Sequence, residues 1–371
     1  MLAVLSGGGT AGHINPALAL ASVLQDRGWD VRFAGTPHGV EARLVPAAGI
    51  PFTAFEASGF NRKHPTSLAK GVAKIAASTR KAERWFREIR PDVVVGFGGY
   101  VSIPVARAAE KMGIPVVLHE QNSVMGMANK YLAKKADAVC LTYEHSRQCL
   151  APGAPCRVTG NPVRRSVIEA DRSAGRALFD LTDDDLMLLV FGGSLGARHI
   201  NEAVVALKDQ LLARPHLRIV HLTGPKELDA VTEALALTED EAARWTLMGY
   251  QDRMGETLAA ADVIVSRAGA TSLAEISARA IPAVLVPYPY ATEDHQTINA
   301  RSYVEAGCAF MVPDAALDGD EFPRALFALV DDEGRRASQA SAARAQKTAQ
   351  AAEMLADVVA EAAAGRCSTV Q

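Results

Sequence analysis

Three glycine-rich segments of the sequence have the composition of loops that hold phosphate groups. They are residues 7–12, 96–99 and 192–196. Because glycine has no Cβ, its backbone N–H groups and the N-terminus of a following helix can come close to a phosphate. His13 follows the first segment directly, so this loop combines anion binding with a side chain that could transfer a proton.

The first segment disfavours two familiar nucleotide sites. Its spacing, Gly7-x-Gly9-x-x-Gly12, matches the dinucleotide fingerprint, but Ala34-Gly35-Thr36 stands where an acidic residue is expected about 20 positions later. A P-loop would need Lys and Ser or Thr where the sequence has His13 and Ile14. NAD binding and ATP hydrolysis of the P-loop type are therefore disfavoured.

His13 is the candidate catalytic residue. A histidine on the first turn after a glycine loop faces the bound ligand, and imidazole titrates near neutral pH, as a general base requires. The alternative is a histidine that only caps the helix or packs against it. The segment alone leaves both interpretations open.

The second segment follows a predicted strand at 93–95 and precedes a helix that begins near Pro104. It predicts another anion-binding loop at the same sheet edge, although glycines that only permit a tight turn are the alternative. Two neighbouring loops would suit a diphosphate better than a single phosphate. The residues assigned to that diphosphate are Gly9, Gly98, Gly99 and Tyr100.

Residues 266–275 form a comparable segment in the second half, after a predicted strand at 263–265. Their small side chains would let a ligand reach the backbone, and Thr271 and Ser272 could cap the following helix and bind phosphate. Glu275, on the first turns, could hold the two hydroxyls of a ribose. The alternative for Glu275 is a solvated side chain that the helix dipole favours.

Short runs rich in Val, Ile and Leu alternate with helical stretches, as in strands buried on both faces of a parallel sheet. The pattern stops in a Pro- and Gly-rich stretch at 151–163 and then restarts, which predicts two domains, 1–160 and 161–342. Such sheets bind ligands beyond the carboxyl ends of their strands. We predict an α/β chain of two Rossmann-like, doubly wound domains that face each other across a cleft. The predicted strands are 2–5, 31–34, 93–95, 116–118, 138–141, 187–191, 218–222, 246–247, 263–265 and 283–286.

The net charge of −3 hides an uneven distribution. Residues 1–160 carry 19 Lys and Arg against 11 Asp and Glu, whereas the remainder carries 20 against 31. We therefore expect the first half to bind anions. A nucleic acid would call for a stronger basic excess with aromatic residues, so a phosphorylated substrate or an anionic membrane surface is the better expectation.

The sequence favours a cytosolic chain without a metal site or a required cofactor. It has no apolar run long enough to cross a bilayer, no signal-peptide pattern, and no CxxC pair among its five cysteines. Asp183, Asp184 and Asp185 look like a metal cluster. They precede a strand, at the sheet edge away from the ligands, so we interpret them as a solvated turn.

A further segment points to a membrane. Apolar residues recur every three or four positions, as on one face of a helix, with six Lys and Arg residues beside them. Together with Arg62, Lys63 and His64, this pattern predicts a peripheral helix on an anionic membrane. The alternative is a stripe that packs on its own domain. The stripe consists of Leu68, Val72, Ile75, Thr79, Ala82, Phe86 and Ile89.

Seven motifs follow one another along the chain. They are residues 8–13, 98–102, 119–122, 160–164, 192–197, 267–275 and 294–300. In this order they resemble the MurG family, the peptidoglycan glycosyltransferases that convert lipid I to lipid II, over nearly the whole chain. The resemblance implies a GT-B fold with UDP-N-acetylglucosamine held mainly by the C-terminal domain and the undecaprenyl-diphosphate acceptor by the N-terminal one. It also implies that a last helix, at about 343–365, returns to the N-terminal domain.

The resemblance also implies roles for individual residues. Glu275 would hold the ribose hydroxyls, Gln296 would reach the hydroxyls that identify the sugar, and Gln251 would contact uracil through its backbone. Arg164 and Ser194 would serve the nucleotide diphosphate. The full set that the resemblance places on UDP-N-acetylglucosamine is Thr10, Ala11, Gly12, Asn122, Arg164, Ser194, Gln251, Ala270, Thr271, Ser272, Leu273, Ala274, Glu275 and Gln296.

The implied reaction is an inverting transfer, in which the muramoyl C4 hydroxyl attacks the anomeric carbon of N-acetylglucosamine and UDP leaves, with His13 as the base. The implied location is the cytoplasmic face of the inner membrane, and cell-wall or division proteins are further candidate partners. Divalent-ion stimulation is left open. Rivals on the same architecture are a UDP-N-acetylglucosamine 2-epimerase, another glycolipid glycosyltransferase and a non-catalytic nucleotide-sugar binding module.

Overall fold

The computed structural model describes residues 1–57, 65–193 and 196–365, with the backbone alone for 65–72. These residues form two compact units: Met1–Arg164 together with the chain from Gln350 onward, and Arg165–Ala349. Each unit is built on one parallel sheet, so the predicted α/β class is confirmed. The first unit includes residues 161–164, which we expected in the second.

The first unit is a parallel sheet with helices on both faces. Its strands are β1 (Leu2–Ser6), β2 (Asp30–Gly35), β3 (Phe52–Ala54), β4 (Val93–Gly96), β5 (Val116–Glu120), β6 (Ala138–Leu141) and β7 (Cys156–Val158). Its helices in this part of the chain are α1 (Ala11–Asp26), α2 (Glu41–Ala47), α3 (Pro65–Ile89), α4 (Ser102–Met112), α5 (Met127–Leu132) and a 3-10 helix, Glu144–Cys149. In the described residues the strand order is β3-β2-β1-β4-β5-β6-β7, with every neighbouring pair parallel.

The two faces of this sheet are covered by different helices. Ala3 and Leu5 of β1 join the core that α1 fills, while Val4 between them joins the core that α3 and α4 fill. Because α1 follows β1 and α4 follows β4, the chain changes face between these two neighbouring strands. Ligands bind at such a switch point, beyond the carboxyl ends of the strands. The first and second glycine segments lie there.

The second unit repeats this order. Its strands are β8 (Leu186–Phe191), β9 (Leu217–Leu222), β10 (Trp245–Met248), β11 (Val263–Ser266), β12 (Ala283–Leu285) and β13 (Ala309–Met311). Its helices are α6 (Arg165–Ile168), α7 (Arg172–Ala177), α8 (Arg198–Ala206), α9 (Lys208–Leu212), α10 (Leu228–Leu235), α11 (Glu239–Ala242), α12 (Met254–Ala260), α13 (Ala270–Ala278), α14 (His295–Glu305), α15 (Glu321–Val330) and α16 (Glu333–Ala345), with 3-10 helices at Thr292–Asp294 and Asp314–Ala316. The described strands are ordered β10-β9-β8-β11-β12-β13, which places the loops after β8 and β11 at the equivalent position.

The last helix, α17 (Ala351–Ala363), belongs to the first unit and follows a short 3-10 helix, Thr348–Gln350. Its apolar face, which includes Leu355 and Val359, joins the core that α1 fills. Arg27, which follows α1, lies 2.7 Å from Asp357 and also pairs with Glu353. The segment that returns to the first unit is therefore shorter than the predicted 343–365, since α16 lies in the second unit.

The structure contains all ten predicted strands and adds three. The additional strands, β3, β7 and β13, have three residues each and lie at the outer part of their sheets. Each is only partly buried, and its sequence lacks the continuous Val, Ile and Leu run that marks a central strand. Short edge strands therefore escaped a prediction based on buried apolar runs.

Helix α3 carries the apolar stripe that was predicted to contact a membrane. Thr79, Ala82 and Phe86 are buried, and the latter two join the core shared with α4. These residues of the stripe pack on their own unit, as the alternative interpretation held. The side chains of Leu68 and Val72, and the loop residues 62–64, lie outside the described residues. Among the described helices, none is both long and apolar enough to span a membrane.

The acidic turn before β8 is also not simply solvated. Asp183 and Asp184 are exposed, but Asp185 is buried and accepts hydrogen bonds from the N–H and the hydroxyl of Thr182, each at 2.8 Å. Arg218 lies 3.0 Å from the other carboxylate oxygen. Asp185 thus closes the turn and anchors it to the sheet. The residues that the structure describes contain no group of three or more His, Cys, Asp or Glu side chains suited to a metal ion.

Candidate active site

The first glycine loop leads from β1 into α1 and orients His13. Thr10 is the N-cap, in an extended conformation, and Gly9 has a positive φ of 91° that a side chain would disfavour. His13 Nδ1 lies 2.8 Å from the carbonyl oxygen of Gly8, which can only accept, so Nδ1 carries the proton. The lone pair of Nε2 is then available to take a proton from a ligand.

The second glycine loop packs directly on the first. Gly98 and Gly99 have positive φ values of 96° and 79°. A Cβ at Gly99 would lie 2.6 Å from the Gly8 oxygen, and a Cβ at Gly98 would lie 3.3 Å from His13 Nε2. The structure therefore brings the two loops together, with the acceptor nitrogen of His13 facing Gly98. Half-buried Tyr100 ends the second loop.

A buried carboxylate that the sequence analysis missed shapes the first loop. Glu41 is fully buried, and its Oε1 accepts from the N–H of Thr36 at 3.0 Å and from the Thr36 hydroxyl at 2.5 Å. Its Oε2 accepts from the Gly9 N–H at 3.3 Å. The Gly9 N–H that we assigned to a diphosphate thus donates to Glu41 instead. The only signal in the sequence is an acidic residue at the start of a predicted helix, which is commonly solvated.

Asn122 is held by a second buried carboxylate. Glu120, at the end of β5, accepts from the Asn122 N–H at 3.1 Å through Oε1. Its Oε2 accepts from the Gly126 N–H at 3.0 Å and from Asn129 Nδ2 at 2.9 Å. A carboxylate with three donors fixes this loop. Asn129, which sequence reasoning also missed, lies beside Gly98 of the second glycine loop.

His119 anchors the connection that leaves the first unit. Its side chain is fully buried, and its Nε2 donates to the Gly160 oxygen at 2.9 Å. Burial lowers the pKa of His119 to about 4, and the hydrogen bond to Gly160, which raises the pKa, offsets only part of this effect. The ring is therefore neutral at physiological pH and holds Gly160 in its left-handed conformation, φ 77°. Half-buried Arg164 ends the unit four residues later, outside the C-terminal domain in which we expected it.

In the second unit, helix α13 begins behind an open space. Its N-cap is Gly269, in an extended conformation, and a Cβ there would meet no atom within 4 Å. Ala270, Thr271 and Ser272 form the first turn, so the prediction that Thr271 or Ser272 is the cap is wrong. A helix N-terminus without a side-chain cap favours an anion in front of it.

The remaining predicted residues of α13 lie deeper. Leu273 and Ala274 are buried in the core, and the Leu273 N–H donates to the Gly269 oxygen at 2.9 Å, so these two residues shape the helix start. Glu275 is 8% exposed, which rules out the freely solvated interpretation of its carboxylate. A ribose diol is a suitable partner for a carboxylate that is shielded from water in this way.

Gln296 has its amide orientation set by the backbone. Its Oε1 accepts from the Ala268 N–H at 3.2 Å and from the Tyr288 N–H at 2.9 Å. The Nε2 group is consequently the donor that Gln296 can offer a ligand. Gln251, after β10, uses its side chain within its own loop, where Oε1 accepts from the Arg253 N–H at 2.9 Å. That arrangement leaves its backbone for the predicted contact with a base.

The predicted residues therefore divide into two groups. One surrounds His13 at the carboxyl ends of β1, β4 and β5, and the other surrounds α13 at the carboxyl ends of β11 and β12. Gln251 follows the edge strand β10, and β9 and β8 lie between that strand and β11. Thr10 and Ala11 are exposed and Gly12 is half-buried in the first group. Ser194 lies outside the described residues. The first group can hold an anion beside a proton acceptor, and the second can hold an anion, a diol and a hydroxyl-rich ring.

Comparison with known proteins identifies the family of the chain. The glycosyltransferase family 28 N-terminal domain matches residues 3–141, and the glycosyltransferase family 28 C-terminal domain matches residues 187–355. A protein of Desulforamulus reducens is 40% identical over 331 residues, which cover 88% of this chain and 89% of that protein. It is a UDP-N-acetylglucosamine–N-acetylmuramyl-(pentapeptide) pyrophosphoryl-undecaprenol N-acetylglucosamine transferase.

Solved structures agree with this match. The crystal structure of Acinetobacter baumannii MurG is similar with a TM-score of 0.74 and 30% identity, over 97% of this chain and 99% of that one, which confirms the predicted GT-B fold. A putative UDP-N-acetylglucosamine 2-epimerase from Listeria monocytogenes has a TM-score of 0.72 over 97% and 96% of the two chains, but at 14% identity it shares the fold alone. The chain belongs to glycosyltransferase family 28 and, within it, to the MurG family.

Proposed function

We propose that this chain transfers N-acetylglucosamine from UDP-N-acetylglucosamine to the C4 hydroxyl of undecaprenyl-diphospho-N-acetylmuramoyl-pentapeptide, the step from lipid I to lipid II in peptidoglycan synthesis. The observation that carries the proposal is the match to a transferase of that name at 40% identity over 88% of the chain. The oriented ring of His13, at the contact of two glycine loops, supplies the chemistry that such a reaction needs.

The first unit binds the acceptor in this proposal. The acceptor diphosphate lies against the second glycine loop, near Gly98, Gly99 and Tyr100, within a unit whose first 160 residues carry 19 Lys and Arg against 11 Asp and Glu. His13 Nε2 takes the proton of the C4 hydroxyl as its oxygen forms a bond to the anomeric carbon. The bond from that carbon to the UDP oxygen breaks at the same time. Because the hydroxyl attacks the face opposite UDP, the configuration inverts from α to β.

The second unit binds the donor. The diphosphate of UDP lies at the N-terminus of α13, where the helix dipole stabilises the negative charge that develops as UDP leaves. Glu275 accepts from the ribose hydroxyls, and the Nε2 group of Gln296 donates to a hydroxyl of the sugar. In this proposal neither the proton transfer to His13 nor the departure of UDP requires a metal ion. We therefore expect transfer to continue in the presence of EDTA.

The chain would reach its lipid-linked acceptor as a peripheral protein on the cytoplasmic face of the inner membrane. Arg80, Arg84 and Arg87 are exposed and recur every three or four residues, so they form one cationic face of α3. This face, in place of the apolar stripe, is the proposed contact with anionic lipid. Replacing all three by Ala should abolish sedimentation with anionic vesicles at low salt, and unchanged sedimentation would refute this contact.

The test of the proposed activity is transfer of labelled sugar to a lipid I analogue. UDP-N-acetylglucosamine, UDP-glucose and UDP-galactose are offered separately to the full chain. We expect label in the lipid product from UDP-N-acetylglucosamine alone. Preferred transfer of glucose or galactose would indicate another glycolipid glycosyltransferase, and turnover of UDP-N-acetylglucosamine without an acceptor would indicate the epimerase reaction.

A further inference from the structure

Arg267 connects three segments at the carboxyl edge of the second sheet. It follows β11 directly, and its Nη1 donates to the oxygens of Val286 and Pro287, at 3.3 and 3.1 Å, in the loop after β12. The same nitrogen lies 2.5 Å from Asp314 Oδ1, in the segment after β13. The guanidinium also lies 5.6 Å from the centre of the Tyr288 ring.

Asp314 has a second partner on its other oxygen. His199, on the helix that follows the third glycine segment, places Nδ1 2.8 Å from Asp314 Oδ2. Burial alone would raise the pKa of Asp314, but the bonds from His199 and Arg267 outweigh it and hold the pKa below its usual value. The side chains of Asp314 and Arg267 are only 15% and 11% exposed, so water screens their attraction little.

These contacts end beside the groups that would hold the donor. Ala268, next to Arg267, and Tyr288, next to Pro287, supply the two N–H groups that orient the amide of Gln296. Gly269, one residue further, is the N-cap of α13. A shift of the Arg267 guanidinium would therefore move both the sugar-binding amide and the start of the phosphate-binding helix.

We propose that Asp314 is a positioning residue of the nucleotide-sugar site, which acts by holding Arg267 and is itself held by His199. The inference rests on the proposed function, because it concerns the site for the UDP-sugar. No ligand contact is assigned to Asp314. Its effect is on the arrangement of Ala268, Gly269 and Tyr288, and hence on donor affinity.

His199 makes this arrangement dependent on pH. Its bond to Asp314 raises the pKa of His199 above the usual value, with burial opposing and Asp318, at 3.3 Å from Nε2, assisting. On its own helix Arg198 and Glu202 flank it, and Arg198 is paired with Glu227 near α10. The imidazolium is present below the raised pKa and is lost as pH rises through it. Donor binding should therefore weaken as pH rises across that pKa.

The test measures donor affinity apart from turnover. Calorimetry with UDP-N-acetylglucosamine and the full chain, without acceptor, gives the Kd, and a separate assay gives kcat for transfer at saturating donor. For Asp314→Asn we expect a Kd that is roughly tenfold higher, with kcat nearly unchanged. The matched control is Asp331→Asn, which breaks a similar ion pair with Arg214, at 2.5 Å, just before the amino end of β9.

Three results would contradict the proposed roles of Asp314 and His199. A wild-type Kd in Asp314→Asn, or the same weakening in Asp331→Asn, would overturn the positioning role. His199→Gln keeps a donor for Asp314 but does not titrate, so its Kd should lack the rise that we expect for the wild type as pH increases through the raised pKa of His199. Identical pH profiles would contradict the role of His199 even if Asp314→Asn fails to fold. Failure of the wild type to bind the UDP-sugar would instead refute the proposed function.

Discussion

Helix α1 in the first unit begins beside a histidine and a buried carboxylate, whereas helix α13 in the second begins behind a glycine with open space in front of it. The two sheets share one strand order, in which α1 follows the first strand of its sheet and α13 follows the fourth strand of the other. In the first unit the Gly9 N–H is already taken by Glu41, and His13 presents an acceptor nitrogen. In the proposed function, one architecture thus serves proton transfer at one helix start and anion binding at the other.

Charge follows the same division. The first 160 residues have an excess of Lys and Arg, and the remainder has an excess of Asp and Glu. The acidic half nevertheless holds the proposed UDP site, because a helix N-terminus and backbone N–H groups bind phosphate without any net positive charge nearby. The proposed site therefore depends on local backbone geometry and not on the overall charge of its domain.

The largest effect is expected from His13→Ala. Loss of the proton acceptor should lower kcat for transfer by roughly three orders of magnitude, while the Kd of UDP-N-acetylglucosamine stays at the wild-type value. The control is His38→Ala, which removes an exposed histidine of the same unit. Full turnover in His13→Ala would remove this residue from the mechanism and end the contrast between the two helix starts.

Gly99→Ala tests the contact between the two glycine loops. The added Cβ would approach the Gly8 oxygen to 2.6 Å on a backbone with φ 79°, and we expect a loss of about 1–3 kcal/mol in stability together with a raised KM for the acceptor. Gly113→Ala is the matched control, since Gly113 has φ 69° but nothing within 4 Å of a Cβ. Equal losses in the two variants, measured by urea unfolding, would show that the contact contributes nothing.

Among the described residues, His119 of the first unit and His221 of the second are buried and neutral. Burial lowers the pKa of both side chains to about 4 from the usual 6.5. Their contribution to stability is fully present above pH 6.5 and is lost as pH falls towards 4, because the unfolded chain then binds protons that the folded chain does not. Each of the two histidines should lower the free energy of unfolding by about 2 kcal/mol at pH 5 relative to pH 7. Urea unfolding at the two pH values would measure this difference.

In that experiment, His221→Asn and His119→Asn distinguish the contributions of the two units to the loss of stability at low pH. Each variant should lose part of the acid sensitivity of the unit that contains the substitution. Equal unfolding free energies for the wild type at pH 7 and 5 would refute the neutral, buried state of both rings.

Gln296→Glu tests donor recognition with the smallest expected effect. The carboxylate would still accept from Ala268 and Tyr288 but would no longer donate, so we expect a roughly tenfold higher KM for UDP-N-acetylglucosamine and an unchanged KM for the acceptor. Gln210→Glu, at an exposed position of the same unit, is the control. A rise in the KM for the acceptor alone would show that Gln296 contacts the acceptor and not the donor.

The sequence reveals those parts of the fold and site that depend on neighbouring residues. The central strands and the glycine loops could be predicted, because apolar runs and glycine spacing are local patterns. Glu41 could not, since its partner Gly9 lies 32 positions away and its burial follows from tertiary packing. Asp314 lies 47 positions from Arg267 and 115 positions from His199, and no local pattern predicts contacts over such separations.

The first unit ends at Arg164, four residues after the predicted boundary at 160. Pro and Gly content predicts a connection near this point, and the buried ring of His119, 41 positions earlier, ties Gly160 to the first unit. The packing of Ala82 and Phe86 in α3 could not be predicted either, because periodicity indicates an apolar face without showing what covers it. Only the contact with α4 settles that question.

The most direct test of the division between the units is a transfer experiment with UDP-N-acetylglucosamine labelled in both the sugar and the uridine. Wild type and His13→Ala are compared with a lipid I analogue as the acceptor. We predict that sugar label enters the lipid as UDP label is released, one for one, and that His13→Ala slows both equally while binding the donor normally. Release of UDP without sugar in the lipid, or weakened donor binding in His13→Ala, would contradict the account.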